Sequence, residues 1–121
     1  LLDKWTEERR EIAFRYNELL RPYVDVPDEG EGEYCVFQTY VVQATRRDEL
    51  KTYLNENGVQ ALVHYSIPLH LQPAAKYLDY QENDFPVTME MSNKIMSLPL
   101  YPELSKQQQD YVASLFKEFY K

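Results

Sequence analysis

The sequence has a single cysteine, two histidines and only three glycines among its 121 residues. Cys35 has no partner for an internal disulfide, so a reducing, cytoplasmic setting is the simplest interpretation. Apolar neighbours lead us to interpret Cys35 as an inert thiol buried in a strand. No Cys or His residues recur at zinc-ligand spacing, and no glycines cluster ahead of a helix as a phosphate-binding loop requires. We therefore predict neither a metal site nor a phosphate-binding loop.

Positive charge is also scarce, because 20 acidic residues outnumber 13 basic ones and the formal net charge is −7. Nucleic-acid binding needs a basic surface that neutralises phosphates, so that class of partner is excluded. No apolar run reaches the roughly 18–20 residues that span a bilayer, and no signal-peptide pattern opens the chain, so no membrane association is predicted. The chain starts without Met and directly in a helical pattern, from which we expect a piece of a longer protein.

Hydrophobic periodicity and turn residues predict a single α+β domain over residues 1–121, with a small, mostly antiparallel three-stranded sheet covered by helices. Helical patterns alternate with apolar runs that read as strands. Capping signatures open two of the helices, Thr45 with Asp48 and Ser105 with Gln108, and Gly58 closes one in a left-handed conformation. The predicted helices cover residues 3–20, 45–57, a stretch from either 84 or 86 to 94, and the stretch from 105 onward. The predicted strands cover 34–42, 59–65 and 95–98. A loop with a short helix around 74–78 separates the middle elements.

Both histidines lie in one short stretch, where the predicted strand 59–65 runs out into a loop containing Pro68. Histidine titrates near neutral pH, and its clustering at a strand end is typical of a functional edge. A purely structural interpretation also fits, in which His64 caps the strand and His70 lies on a solvated turn. The adjacent Tyr65 belongs to the same candidate site. No nucleophile, base and third group stand in a recognisable arrangement, so we predict no catalytic residue in this chain.

Several motifs follow one another in a specific order along almost the whole chain. The first helix fits R-x-x-I-A-x-x-Y-x-x-x-L from Arg9 to Leu20, and residues 64–72 fit H-Y-P-x-P-x-H-x-Q, except that Ser66 replaces the first proline. A third motif, Ser97-Leu98-Pro99-Leu100, lies further on. Together, these motifs resemble the C-terminal domain of the DegT/DnrJ/StrS sugar aminotransferases, a family of fold-type I pyridoxal-phosphate enzymes.

The resemblance implies a function and a division of labour. Such enzymes transfer an amino group from an amino acid, usually glutamate, to a nucleotide-linked keto sugar, and the complete enzyme is expected to be a homodimer. The lysine that carries pyridoxal phosphate belongs to the large domain, so no cofactor is expected in this chain and it should be inactive alone. His64 and Tyr65 match positions that line the sugar-nucleotide pocket. His70 and Gln72 belong to the same motif and are also expected to bind substrate.

A second interpretation comes from another class of protein. The chain can instead be a free-standing acidic α+β interaction module without catalysis, which binds a protein partner through an apolar helix face. Trp5 on the first helix, or Phe116 and Phe119 on the last, would supply that face.

Overall fold

Four α-helices and two short β-strands make up the fold, and the computed structural model describes all residues from 1 to 121. Three 3₁₀ turns occupy residues 69–71, 73–78 and 82–84. The α+β class is confirmed, but the sheet has two strands rather than three. In chain order the elements are α1 (Leu2–Leu20), β1 (Tyr40–Gln43), α2 (Arg47–Glu56), α3 (Pro86–Ser92), β2 (Ile95–Leu98) and α4 (Lys106–Phe119).

The predicted strand 59–65 is wrong, although its alternating pattern is real. Val59 and Ala61 are buried, but only Leu62 reaches the sheet, through an isolated antiparallel bridge to Ser97. The backbone N–H and carbonyl of Ala61 instead pair with the side chain of Asn55, at 3.3 and 3.2 Å. In the register of the Leu62 bridge, Gln60 would pair with Pro99, which has no N–H to donate. His64 would pair with Ile95, whose carbonyl already accepts from Arg47 at 2.7 Å, so no continuous ladder forms along this stretch.

The predicted strand 34–42 is correct only in its last part, since regular pairing begins at Tyr40. In the preceding segment Arg10 on α1 donates to the Cys35 carbonyl, at 2.6 Å, and Glu29 accepts from the Cys35 N–H, also at 2.6 Å. Phe37 then takes a left-handed backbone conformation, with φ of 47°. Side chains therefore replace strand pairing here, and Cys35 is exposed rather than buried as its apolar neighbours predicted.

β1 and β2 pair antiparallel, with Tyr40 opposite Leu98 and Val42 opposite Met96. All four of these side chains are buried and join a core of 19 apolar residues. α4 packs against both α1 and α2, and closes the core on one side of the sheet. Burial of apolar surface between these three helices and the strands is the main source of stability.

The helix ends confirm two of the three capping predictions. Ser105 and Gln108 form a reciprocal capping box at the start of α4, with N···O distances of 3.1 and 2.9 Å. Gly58 has φ of 80°, and the Gly58 and Val59 N–H groups bond back to the last turn of α2, a Schellman motif. Thr45 does not cap α2, because the residue at the N-cap is Arg46 in a left-handed conformation without a side-chain cap.

Residues 62–91 contribute nothing to the buried core. More than half of the large apolar side chains that are exposed in this chain lie between residues 62 and 87. This segment carries the predicted site motif, so the motif lies outside the core that holds the fold together. None of the helices combines the length and hydropathy that a bilayer-spanning segment requires.

Candidate functional site

A shallow cleft of about 270 Å³ lies beside the open edge of β2, and His64 is part of its wall. Chain segments from three parts of the sequence meet there. The polar side chains around the cleft are uncharged, and apolar side chains complete it. The lining consists of Gln38, Thr39, Gln60, Leu62, His64, Ser97, Leu98, Pro99, Leu100 and Tyr101.

His64 is held by one contact to the sheet, in which its Nδ1 lies 2.9 Å from the Ser97 hydroxyl oxygen. Ser97 is only 6% exposed and lies in β2 between Val41 on one side and Leu62 on the other. The Tyr65 side chain is 77% exposed, and its ring centroid lies 5.4 Å from that of His64. The structure thus brings His64 and Tyr65 together, as the sequence predicted, with only His64 on the cleft.

Side chains of α1 hold the two chain segments that form the rest of the cleft wall. Arg9 donates to the carbonyls of Phe37 and Leu100, at 3.3 and 3.4 Å, and so joins the chain entering β1 to the chain leaving β2. Tyr16 donates to the Pro99 carbonyl at 3.0 Å. Burial raises the pKa of the Tyr16 phenol above its ordinary value, so it remains a neutral donor.

His70 and Gln72 lie apart from His64, around a second depression of about 490 Å³. His70 sits on a 3₁₀ turn with its ring against Phe85, at a centroid distance of 4.9 Å, and its Nε2 is buried without a partner. Gln72 donates to the Ile67 carbonyl at 2.9 Å and so folds the loop onto itself. The four predicted site residues therefore form two groups, and the second group has contacts typical of loop structure.

Sequence reasoning missed most of the cleft. Gln38, Thr39, Gln60 and Tyr101 carry no motif signal, and only the fold brings them together. Ser97 had a signal, because it opens the Ser97-Leu98-Pro99-Leu100 motif, but the sequence did not connect it with His64.

The arrangement suits binding rather than covalent chemistry by this chain. The Ser97 hydroxyl is buried and contacts Nδ1 of His64, but no carboxylate bonds to the other ring nitrogen as a hydrolase triad requires. No three His, Cys, Asp or Glu side chains group together as a metal site. No lysine lines the cleft either, so its residues do not fit a covalently held pyridoxal phosphate.

Comparison with known proteins gives the family. Residues 1–117 match the DegT/DnrJ/EryC1/StrS aminotransferase family, and the chain belongs to that family. It is 42% identical to a pleiotropic regulatory protein of Geobacillus stearothermophilus over 99% of this chain, and 31% identical to a dTDP-3-amino-3,6-dideoxy-alpha-D-galactopyranose transaminase of Aneurinibacillus thermoaerophilus over 98%. A crystal structure of a DegT DnrJ EryC1 StrS aminotransferase from Brucella abortus superposes with a TM-score of 0.87 at 35% identity, over 95% of this chain.

The chain spans about a third of the length of these proteins: 33% and 32% of the two relatives and 31% of the solved structure. The sequence resemblance to the family is thus confirmed, and the solved family member shares the fold of this chain.

Proposed function

We propose that residues 1–121 form the C-terminal domain of a pyridoxal-phosphate-dependent aminotransferase that converts a nucleotide-linked keto sugar to an amino sugar, with an amino acid as the donor. Family membership supports the reaction class, and the transaminase relative that acts on a dTDP-linked sugar supports the substrate class. In this proposal the domain contributes one wall of the substrate site and is inactive alone.

The observation that carries the proposal is the composition of the cleft beside His64. Six of its side chains, Gln38, Thr39, Gln60, His64, Ser97 and Tyr101, bear hydrogen-bonding groups without a formal charge, when histidine is neutral. Leucine and proline side chains fill the remaining wall. A sugar ring presents the same combination of hydroxyl groups and apolar C–H faces, so neutral donors and acceptors on an apolar wall suit it.

Tyr65 extends the proposed binding surface beyond the cleft. Its phenol is largely exposed next to the His64 ring, where it can donate to a substrate oxygen or cover an apolar ring face. His70 and Gln72 remain proposed contacts of the same substrate, at its more distant part, because they line the second depression together with Lys76 and Asp79.

The cofactor and the second subunit belong to the proposal for the complete protein. Pyridoxal phosphate would be held by the part of the protein that precedes this domain, since no lysine lines the cleft here. The 121-residue chain should therefore show no absorbance band of a lysine-bound cofactor near 420 nm after incubation with pyridoxal phosphate. A band that borohydride abolishes would contradict that division of labour.

The test is steady-state kinetics of the complete protein with glutamate and a panel of nucleotide-linked keto sugars. We expect His64→Ala and Tyr65→Phe to lower kcat/KM for the sugar by about fivefold to tenfold, the value of a lost hydrogen bond. The half-reaction with the amino acid should change less. Tyr77→Phe is the matched control, because Tyr77 is similarly exposed in the same segment but does not pack against the His64 ring. Unchanged kcat/KM in both variants would contradict the proposal that His64 and Tyr65 bind the sugar.

The name of the Geobacillus relative supports a second candidate, a regulatory protein of the same fold. The sequence also suggested an interaction module that binds a partner through an apolar face of the first or the last helix. Phe116 on the last helix is fully buried, so only the face with the exposed Trp5 can serve that role. Assay of the complete protein separates the candidates: sugar-dependent turnover of glutamate supports the aminotransferase, and sugar binding without turnover supports the regulator.

A further inference from the structure

Ser97 lies in the wall of the cleft and has a sheet neighbour on each side. Its backbone N–H donates to the Leu62 carbonyl at 2.7 Å and its carbonyl accepts from the Leu62 N–H at 3.1 Å, while Val41 lies opposite it on the other side. The residue is nearly fully buried between these two neighbours. The sheet consequently fixes the position of the Ser97 Cβ, and the hydroxyl can reach only groups close to that position.

That hydroxyl has one partner in the whole chain, Nδ1 of His64 at 2.9 Å. Two other serines, Ser92 and Ser114, donate to the carbonyl three residues earlier in a helix, at 2.8 and 2.6 Å. Ser97 lies in a strand, where the extended backbone places no carbonyl three residues earlier within reach, and its hydroxyl has no backbone acceptor. A buried hydroxyl without an acceptor costs about 1–3 kcal/mol, so Ser97 donates and Nδ1 accepts.

From this we infer that Ser97 is a positioning residue that holds the neutral His64 ring with its hydrogen on Nε2. A neutral imidazole carries one N–H, so an Nδ1 that accepts leaves the hydrogen on the other nitrogen. Nε2 has no partner within the chain, and the ring lines an uncharged cleft. His64 then presents an N–H donor to a ligand oxygen and offers no free lone pair for proton abstraction.

The inference rests on the proposed function only for the identity of that ligand, a nucleotide-linked sugar. Its chemistry is more general: the acceptor is a hydroxyl, carbonyl or phosphate oxygen. The hydrogen position can be measured on the 121-residue chain without any ligand, so it is independent of the proposed reaction.

The first experiment is imidazole ¹⁵N NMR at about pH 8.5, where an ordinary histidine is neutral. The chain has two histidines, and a His70→Gln variant assigns the His64 signals. We expect Nδ1 of His64 to show the shift of an unprotonated nitrogen and Nε2 that of a protonated one, more completely than in the urea-unfolded chain. An Nδ1–H form, or the same mixture as in the unfolded chain, would overturn the inference.

Substitutions of Ser97 test whether its hydroxyl positions the His64 ring or the residue only fills space. Ser97→Ala should return His64 to the unfolded-chain mixture, and Ser97→Thr, which keeps the hydroxyl, should restore the Nε2–H form. Ser66→Ala is the control, because Ser66 is an exposed serine of the same motif whose side chain makes no hydrogen bond. If Ser97→Ala does not fold, the wild-type spectrum alone still decides the position of the hydrogen.

The second experiment uses the complete protein with a nucleotide-linked keto sugar. Ser97→Ala should raise KM for the sugar about threefold to tenfold, with a smaller change in kcat, and Ser97→Thr should recover it. An altered tautomer with unchanged KM would overturn the ligand role of His64 and, with it, the proposed site. A wild-type spectrum without the Nε2–H form would overturn the inference on Ser97 even if the enzyme acts on the sugar.

Discussion

Tyr40 on β1 donates its phenolic hydrogen to the side-chain carbonyl of Asn17 on α1, with 2.7 Å between the oxygens, and both residues are buried. The amide nitrogen of Asn17 donates in turn to the Pro27 carbonyl, at 2.9 Å. The Asn17 side chain thus joins the first helix, the sheet and the acidic loop between them, which comprises residues 26–33. Burial raises the pKa of Tyr40 well above its usual range, so the phenol is always available as a donor.

Asn17→Leu should destabilise the fold by about 1–3 kcal/mol, because it leaves the buried Tyr40 hydroxyl and the Pro27 carbonyl without partners. Urea unfolding followed by tryptophan fluorescence measures the change. Tyr40→Phe removes the donor itself, and in the Asn17→Leu background it should cost less than in the wild type. Strictly additive free energies for the two substitutions would contradict the coupling.

Glu29 holds the acidic loop to α1, since its carboxylate accepts from the Arg10 guanidinium and from the Cys35 N–H. The Arg10 hydrogen bond, and after it the Cys35 N–H, lowers the pKa of Glu29 below its usual range. A lowered pKa in the folded state contributes stability above the ordinary glutamate pKa of about 4.3, and loses it as pH falls through the lowered value.

Glu29→Gln should therefore unfold at lower urea concentration than the wild type at pH 7, and the two midpoints should converge as the pH is lowered below about 4. Glu31→Gln is the matched control from the same loop, because Glu31 is exposed and forms no ion pair or hydrogen bond. A Glu29→Gln difference that is the same at pH 3 and pH 7 would show that charge at this position is irrelevant.

Gly58 is required by its backbone and not by crowding. It has φ of 80°, and a Cβ placed there would meet nothing within 4 Å. Gly58→Ala should cost about 1–2 kcal/mol, the price of a left-handed conformation for a residue with a Cβ. Gly58→Asn, which tolerates that conformation better, should cost less in the same urea experiment. Equal losses for the two variants would indicate a packing role instead.

The reactivity of Cys35 tests the structure of residues 34–39, which the sequence wrongly predicted as a strand. The thiol is exposed, so a disulfide reagent such as DTNB should label one equivalent in the native chain without denaturant. The urea-unfolded chain sets the reference for full labelling. Protection of the thiol until unfolding would mean that residues 34–39 form the buried strand that their composition predicts.

Local signals in the sequence determined the parts of this protein that depend on near neighbours. The period of apolar residues located α1 and α4, the Ser105–Gln108 pair located the start of α4, and Gly58 marked the end of α2. The ordered motifs identified the family, because spacing along a chain is preserved in the sequence itself. His64 and Tyr65 were found in this way as well.

Tertiary structure decided what depends on distant partners. The stretch 59–65 alternates like a strand, yet Pro99 has no N–H for it and the Ile95 carbonyl is taken by Arg47, so the sheet has two strands. The cleft forms only where chain segments around residues 38, 60 and 97–101 meet. Ser97 and His64 are 33 residues apart, and the isolated bridge between Leu62 and Ser97 brings them together. Which group satisfies a buried donor is decided by the whole fold, and no local pattern encodes it.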